Sequence, residues 1–252
     1  MTKVSAQGGR PLNFGHRGAL TYAPENTLAA FQKAKDLGAD GVELDVSLSA
    51  DGEVVVCHDD TVDRTTQGQG HIAKLSLAEI KTLDAGSWFS PEFAGVQIPT
   101  LEEVVDWAAD GMLLNIELKA RGIQSDGLEA QVAAIVHKHG AEKRVLVSSF
   151  NPLVLRRFKN IAPEVQTGLL YARGLPFYVQ RTWFLPLGRT DALHPHFSAV
   201  NESYMRWARA RGYRVHVWAP REATDLEWLV RLRVDMIITD RPDLLAAVLA
   251  TG

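Results

Sequence analysis

The sequence predicts an α/β fold, a parallel (β/α)8 TIM-type barrel with a small insertion over its mouth, on three observations. Short apolar runs of strand length alternate with helix-length stretches along most of the chain, which is the signature of repeated βα units and a parallel sheet. The chain has 252 residues, 46% hydrophobic and 23% charged, enough for one large α/β domain with an ample core, and no Pro/Ser/Gly-rich linker divides it. Several apolar runs also end in charge, and charge pointing into a core is costly unless it is paired or bound to metal. A parallel barrel collects its strand ends in one mouth, where such residues form a site. An open doubly wound sheet is the alternative.

The first predicted strand is Leu12–Gly15, followed by a helix over Asn26–Leu37 whose start is favoured by the charge of Glu25. Strands at Gly41–Val46 and Glu53–His58 come next. The segment SLSADG between them is too short for a crossover helix and reads as a turn. Residues 60–100 break the rhythm, with one short helix signal at Ser76–Leu83. A stretch this long inside a compact domain is usually functional or a small inserted unit, here read as a cap over the mouth of a single domain spanning 1–252. Thr100 and Glu103 form a capping box for a helix over Leu101–Ala109. Strands at Met112–Leu118, Arg144–Phe150, Val165–Tyr171, Arg214–Trp218 and Met236–Thr239 follow, with a weaker one near Ala192–Val200. Helices are expected at Gly127–His139, Pro152–Asn160, Glu202–Arg211, Thr224–Leu232 and Pro242–Leu249. That gives nine strand candidates for eight barrel positions, and the pattern does not say which lies outside.

The chemistry concentrates in the first half. Strand alternation puts Glu43 and Asp45 of VELDV on one face, with Leu44 and Val46 on the other, and groups Asn115, Glu117 and Lys119 of NIELK in the same way. His16 in FGHRG and His58 in VVVCHDD each end an apolar run among charged neighbours, Arg17 for one and Asp59 and Asp60 for the other. Two histidines on separate strand ends suit a general acid and base near neutral pH. Glu43, Asp45 and Glu117 offer hard oxygen ligands, which favour magnesium or calcium over zinc. An ion-pair network with Arg17 and Lys119 is the structural alternative. The same two cations suit an anionic substrate, since a guanidinium grips phosphate oxygens bidentately and lysine adds a point charge. His71, His137 and His139 read as solvated. Cys57, pointing opposite to His58, reads as core. Trp218 shares a face with His216 and either lines the pocket or packs in the core. The aromatic-rich run Leu175–Phe184 reads as a packed loop, with the border of an alkyl-bearing substrate as the other possibility.

Several classes are disfavoured. A formal charge of −3 and a pI near 6.2 do not suggest a nucleic-acid partner. The single cysteine allows no internal disulfide. The first residues lack the apolar core of a signal peptide, and no run approaches the ~18 apolar residues of a membrane span, so a cytoplasmic location is the default. There is no Walker A loop, no GxGxxG after a strand, no GxSxG elbow and no HExxH. The oligomeric state is not legible.

Taken in order, HRG (His16–Gly18), PENT (Pro24–Thr27), ELDV, VVVCHDD with DRTT, ELK and the late TDRPD (Thr239–Asp243) resemble the glycerophosphodiester phosphodiesterase family of bacterial cytosolic type, over residue 12 to about 250. As a set these motifs are specific. The resemblance implies a (β/α)8 barrel with an insertion after the second catalytic histidine. It also implies metal-dependent hydrolysis of glycerophosphodiesters, small-molecule substrates, to glycerol 3-phosphate and an alcohol by way of a cyclic phosphate, although direct attack by a metal-bound water would use the same residues. Residue by residue, it makes His16 and His58 the acid/base pair, Arg17 and Lys119 the phosphate-binding cations, Glu43, Asp45 and Glu117 the metal ligands, and Trp218 a wall at the glycerol end. VWAPR (Val217–Arg221) departs from the family pattern, in which many members read Thr, a hydrophobe and Asn after the tryptophan; Ala219 and Pro220 remove polar groups there. Two rivals stand beside this reading. One is the same barrel acting on a lysophospholipid or another phosphodiester. The other is a non-catalytic glycerophosphodiester-binding protein, which has no need of two titrating histidines.

Overall fold

A computed structural model of the protein describes residues 9–120, 122–172 and 190–251. Eight parallel strands close on themselves: β1 (Leu12–Gly15), β2 (Gly41–Leu48), β4 (Leu113–Leu118), β5 (Val145–Ser149), β6 (Gln166–Tyr171), β7 (Ala192–Pro195), β8 (Arg214–Trp218) and β9 (Met236–Thr239). Closure is made by β1, which pairs with β9 on one side and β2 on the other. That pairing excludes the open sheet. The helices that return the chain are α1 (Leu28–Asp36), α3 (Leu101–Trp107), α4 (Leu128–Lys138), α5 (Pro152–Ile161), α6 (Glu202–Ala210), α7 (Ala223–Arg231) and α8 (Pro242–Thr251).

The candidate that lies outside the barrel is Glu53–His58. Residues Val54–Val56 form β3, antiparallel to β2, with Val46 opposite Val56 and Leu48 opposite Val54. The SLSADG segment is the hairpin turn, tied by the Glu53 N–H donating to Ser49 Oγ at 3.0 Å. β2 therefore overshoots the barrel and β3 brings the chain back, so that the Cys57 N–H donates to the Asp45 carbonyl at 2.9 Å. His58 reaches the mouth by this return rather than from a barrel strand. The Ala192–Val200 candidate ends as a strand at Pro195, and Phe197–Ala199 turns as a 3-10 helix.

Strand alternation sorts the core. Val42, Leu44 and Val46 of β2 and Leu114 and Ile116 of β4 face outward and pack with helix residues such as Phe31 and Val104 in the main cluster between barrel and helices. A smaller cluster of Leu12, Phe14, Leu146, Met236 and Ile238 plugs the barrel interior. A third, made of Val55, Cys57, Val62, Ile72, Ile80, Ala85 and Ile98, packs β3 against the segment before α3. That segment carries one short helix, α2 (Leu77–Ile80), closed by a Ser76–Glu79 capping box, and the predicted Thr100–Glu103 box starts α3. The α1 start differs from expectation: Thr27 is the N-cap, and Glu25 takes no part in the first turn. No helix among the described residues is long and apolar enough to cross a membrane.

Candidate active site

β2 and β4 lie side by side in parallel register, with Glu43 opposite Asn115 and Asp45 opposite Glu117. Because alternate residues face the same way, Glu43, Asp45 and Glu117 all turn into the barrel. One oxygen from each lies within 4.8 Å of the others, and all three side chains are buried. Burial, then repulsion from Asp45 and Glu117, pushes the Glu43 carboxyl well above the usual carboxylate range. Burial and Asp45 raise Glu117 to about 7 against the pull of Lys119. Burial works on Asp45 as well, but Lys119 and then Arg17 outweigh it and hold that carboxyl below its ordinary value. A cluster in which two of three carboxyls resist ionisation has too little positive charge around it. Three oxygen donors short of positive charge suit a hard divalent cation.

The resident cations are placed by the loops. Lys119 Nζ sits 3.0 Å from Glu117 Oε1 and 3.4 Å from Asp45 Oδ1. The Arg17 backbone N–H donates to Glu43 Oε2 at 3.0 Å, its guanidinium donates to Glu25 at 2.9 Å, and its Nε lies 3.4 Å from Asp45. Asn26 clasps Asp45 from both sides, donating to its carboxylate at 2.9 Å and accepting its N–H at 3.3 Å. Arg17 and Asn26 both have positive φ, 52° and 57°, and are joined by a backbone hydrogen bond of 3.0 Å. Asparagine tolerates this left-handed conformation, whereas arginine adopts it at a cost, and such strain concentrates at functional sites.

Each histidine has a carboxylate on Nδ1. His16, at the end of β1, lies with Nδ1 2.6 Å from Asp240 Oδ1 and Nε2 4.0 Å from Glu43 Oε2. His58 Nδ1 lies 2.7 Å from Asp59 Oδ1. An ionised carboxylate fixes the proton on Nδ1 and leaves Nε2 to exchange one. Asp240 remains below its usual range although burial opposes it, because His16 and Arg221 bind it. Asp59 is held at about 2 against burial by Arg64 and His58. Burial lowers the His58 ring below its ordinary value against the pull of Asp45.

The structure thus gathers His16, Arg17, Glu43, Asp45, Glu117 and Lys119 into one polar cluster, with His58 beside it on the β3 return. Trp218 is held by other partners. Its Nε1–H donates to the His194 carbonyl at 2.9 Å, and its ring packs edge-on against Phe150 and His196. Of the two residues after it, Pro220 is buried, and its carbonyl accepts from Thr239 Oγ1 at 2.6 Å. The aromatic run 175–184 lies outside the described residues. Cys57 is core, its thiol pushed by burial to about 12. His137 and His139 are not simply solvated; they pair with Glu164 at 2.6 Å and with Glu102 and Asp106 at 3.0 and 2.9 Å.

Sequence reasoning gave no role to Asp240, Asn26 or Arg64 and misplaced that of Glu25, which accepts from both Arg17 and Arg64. Their only signal was membership of the PENT, DRTT and TDRPD motifs.

A model of the glycerophosphoryl diester phosphodiesterase family matches residues 16–244. A glycerophosphodiester phosphodiesterase of Caldanaerobacter subterraneus subsp. tengcongensis is 41% identical over 246 residues, 96% of this chain and 99% of that one. Among solved structures, an Oleispira antarctica phosphodiesterase in complex with the product sn-glycerol-3-phosphate is 34% identical with a TM-score of 0.83, covering 96% of this chain and 97% of that one. A glycerophosphodiester phosphodiesterase from Agrobacterium tumefaciens is 31% identical with a TM-score of 0.81, over 94% of this chain and 99% of its own.

Proposed function

The chain belongs to the glycerophosphoryl diester phosphodiesterase family, and on that premise we propose that it hydrolyses glycerophosphodiesters to glycerol 3-phosphate and an alcohol, with His16 and His58 as general acid and base and a divalent cation held by Glu43, Asp45 and Glu117. The observation that carries this reading is the pair of histidines, each anchored at Nδ1 by a carboxylate and flanking one cluster of three inward carboxylates and two cations. A site built only to bind needs the cations but not two oriented, titratable rings.

When bound, a magnesium or calcium ion neutralises phosphate charge and polarises the phosphorus centre. The chain does the rest. Arg17 and Lys119 hold the phosphate oxygens. One histidine takes the proton from the glycerol 2-hydroxyl as its oxygen bonds to phosphorus. The other gives its proton to the alcohol oxygen as the phosphorus–oxygen bond breaks. Water then opens the cyclic phosphate, with the histidines exchanging roles, so that both end as they began. Burial, by lowering the His58 ring below its ordinary value, favours the form of His58 that accepts a proton.

The test is release of glycerol 3-phosphate from glycerophosphocholine, glycerophosphoethanolamine and glycerophosphoglycerol, with magnesium, with calcium and with chelator. Metal-dependent release from at least one supports the reading. Release that survives thorough metal stripping contradicts the carboxylate-ligand assignment.

A further inference from the structure

We infer that Arg64, which projects from the segment after β3, is a positioning residue that locks the two arms of the active site together. It rests on the reading of His58 as an acid/base group and Arg17 as a phosphate ligand. Arg64 lies in neither role itself. Its Nε donates to Asp59 Oδ2 at 2.6 Å, and its two terminal nitrogens donate to Glu25 at 2.8 and 2.7 Å. Asp59 holds His58 Nδ1 through its other oxygen, and Glu25 holds the Arg17 guanidinium. One planar fork therefore spans two carboxylates, each of which orients a different functional side chain.

The arrangement is asymmetric in a telling way. His16 receives its carboxylate from the barrel, since Asp240 directly follows β9. His58 and Asp59 lie beyond β3, outside the closed sheet, where no barrel strand fixes them. Asp59 is one-third exposed, so a single hydrogen bond to His58 would leave that pair free to swing. Arg64 ties it to Glu25, which is buried on the β1 side. Lysine cannot reproduce this, because one ammonium does not span both carboxylates in a fixed plane. Partners that orient a functional side chain from behind typically matter by 10–100-fold.

The experiment uses full-length protein. 15N-histidine NMR reads the His58 tautomer, with its signals identified by their loss in His58→Gln. In the wild type the proton resides on Nδ1. In Arg64→Met the two nitrogen shifts move toward each other as tautomers mix, and kcat falls about 10-fold or more; Arg64→Lys lies between. Asp59→Asn should reproduce the Arg64→Met tautomer change, which keeps the test open if Arg64→Met folds poorly. On a His58→Ala background, the Arg64→Met loss in residual kcat should shrink to the part that acts through Glu25 and Arg17, because the His58 arm is already gone. A wild-type tautomer signature and wild-type kcat in Arg64→Met overturn the proposal, as does an equal kcat loss on both backgrounds, which a merely structural role produces. If the wild-type chain hydrolyses no glycerophosphodiester, the functional reading fails while the nitrogen signature still decides the role of Arg64.

Discussion

Two sides of the same barrel interior bury titratable groups, and they resolve the cost in opposite ways. On β2 and β4, Glu43, Asp45 and Glu117 stand among Arg17 and Lys119. On β7 and β8, His194 and His216 are fully buried against each other, His216 Nδ1 to His194 Nε2 at 2.9 Å. Burial pushes His194 down to about 3 and, with His194 beside it, His216 well below its ordinary value. Desolvation thus keeps the histidines neutral, a state that a core tolerates. It cannot neutralise the carboxylate cluster in the same way, because Lys119 and Arg17 keep Asp45 ionised. Residue type alone does not make a site. A site forms where burial leaves charge that only a ligand can balance.

The largest expected effect would break the comparison on the carboxylate side. Chelation should abolish turnover, measured by glycerol 3-phosphate release. His16→Ala and His58→Ala should each lower kcat by ~10²-fold or more, as loss of a general acid or base does. His194→Ala and His216→Ala sharpen the contrast. They should leave kcat within about threefold while costing about 1–3 kcal/mol of stability by orphaning the partner nitrogen, a loss read by denaturant unfolding. A comparable kcat loss from either would erase the distinction between the two sides.

Gly168 offers a smaller, purely steric test. A Cβ there would lie 2.1 Å from His194 Nε2, so the missing side chain is what admits the imidazole. Gly168→Ala should destabilise by about 1–3 kcal/mol, as overpacking does, and the double variant Gly168→Ala/His194→Ala should recover part of that loss.

The smallest effect is the pH dependence of stability. His194 and His216 have folded pKa values below the unfolded value of about 6.5. As pH falls, the unfolded chain therefore takes up protons first. The stability present above that value is lost progressively on the way down toward about 3 for His194. From pH 7 to pH 6 the loss should be somewhat under ~1 kcal/mol per histidine. His194→Gln should flatten the slope; an unchanged slope would remove the buried pair as its source.

Much of this was legible in the sequence, for identifiable reasons. β1, β8 and β9 begin and end where the sequence predicts them. Alternation put Glu43 with Asp45 and Glu117 with Asn115 and Lys119, but only the β2–β4 register brings the two groups together. The run VVV could not reveal that β3 lies outside the barrel, since buried strands look alike whichever neighbour they pair with; only the short SLSADG connection hinted at a hairpin. Asp240 was invisible as the partner of His16 because 224 residues separate them and only closure of β1 on β9 brings them together. Glu25 was misread as a helix-start charge because local sequence gives no warning that Arg17 and Asn26, at positive φ, fold the PENT loop back onto the site.

The central claim is that two oriented histidines and a carboxylate-bound cation act together on a glycerophosphodiester. The most direct test is a coupled assay for glycerol 3-phosphate on glycerophosphocholine, glycerophosphoethanolamine and glycerophosphoglycerol, comparing wild type, wild type with chelator and His58→Ala. The account predicts release by the metal-loaded wild type, none with chelator, and a loss of ~10²-fold or more in the variant. Release that persists at the wild-type rate with chelator or without the His58 imidazole would contradict it.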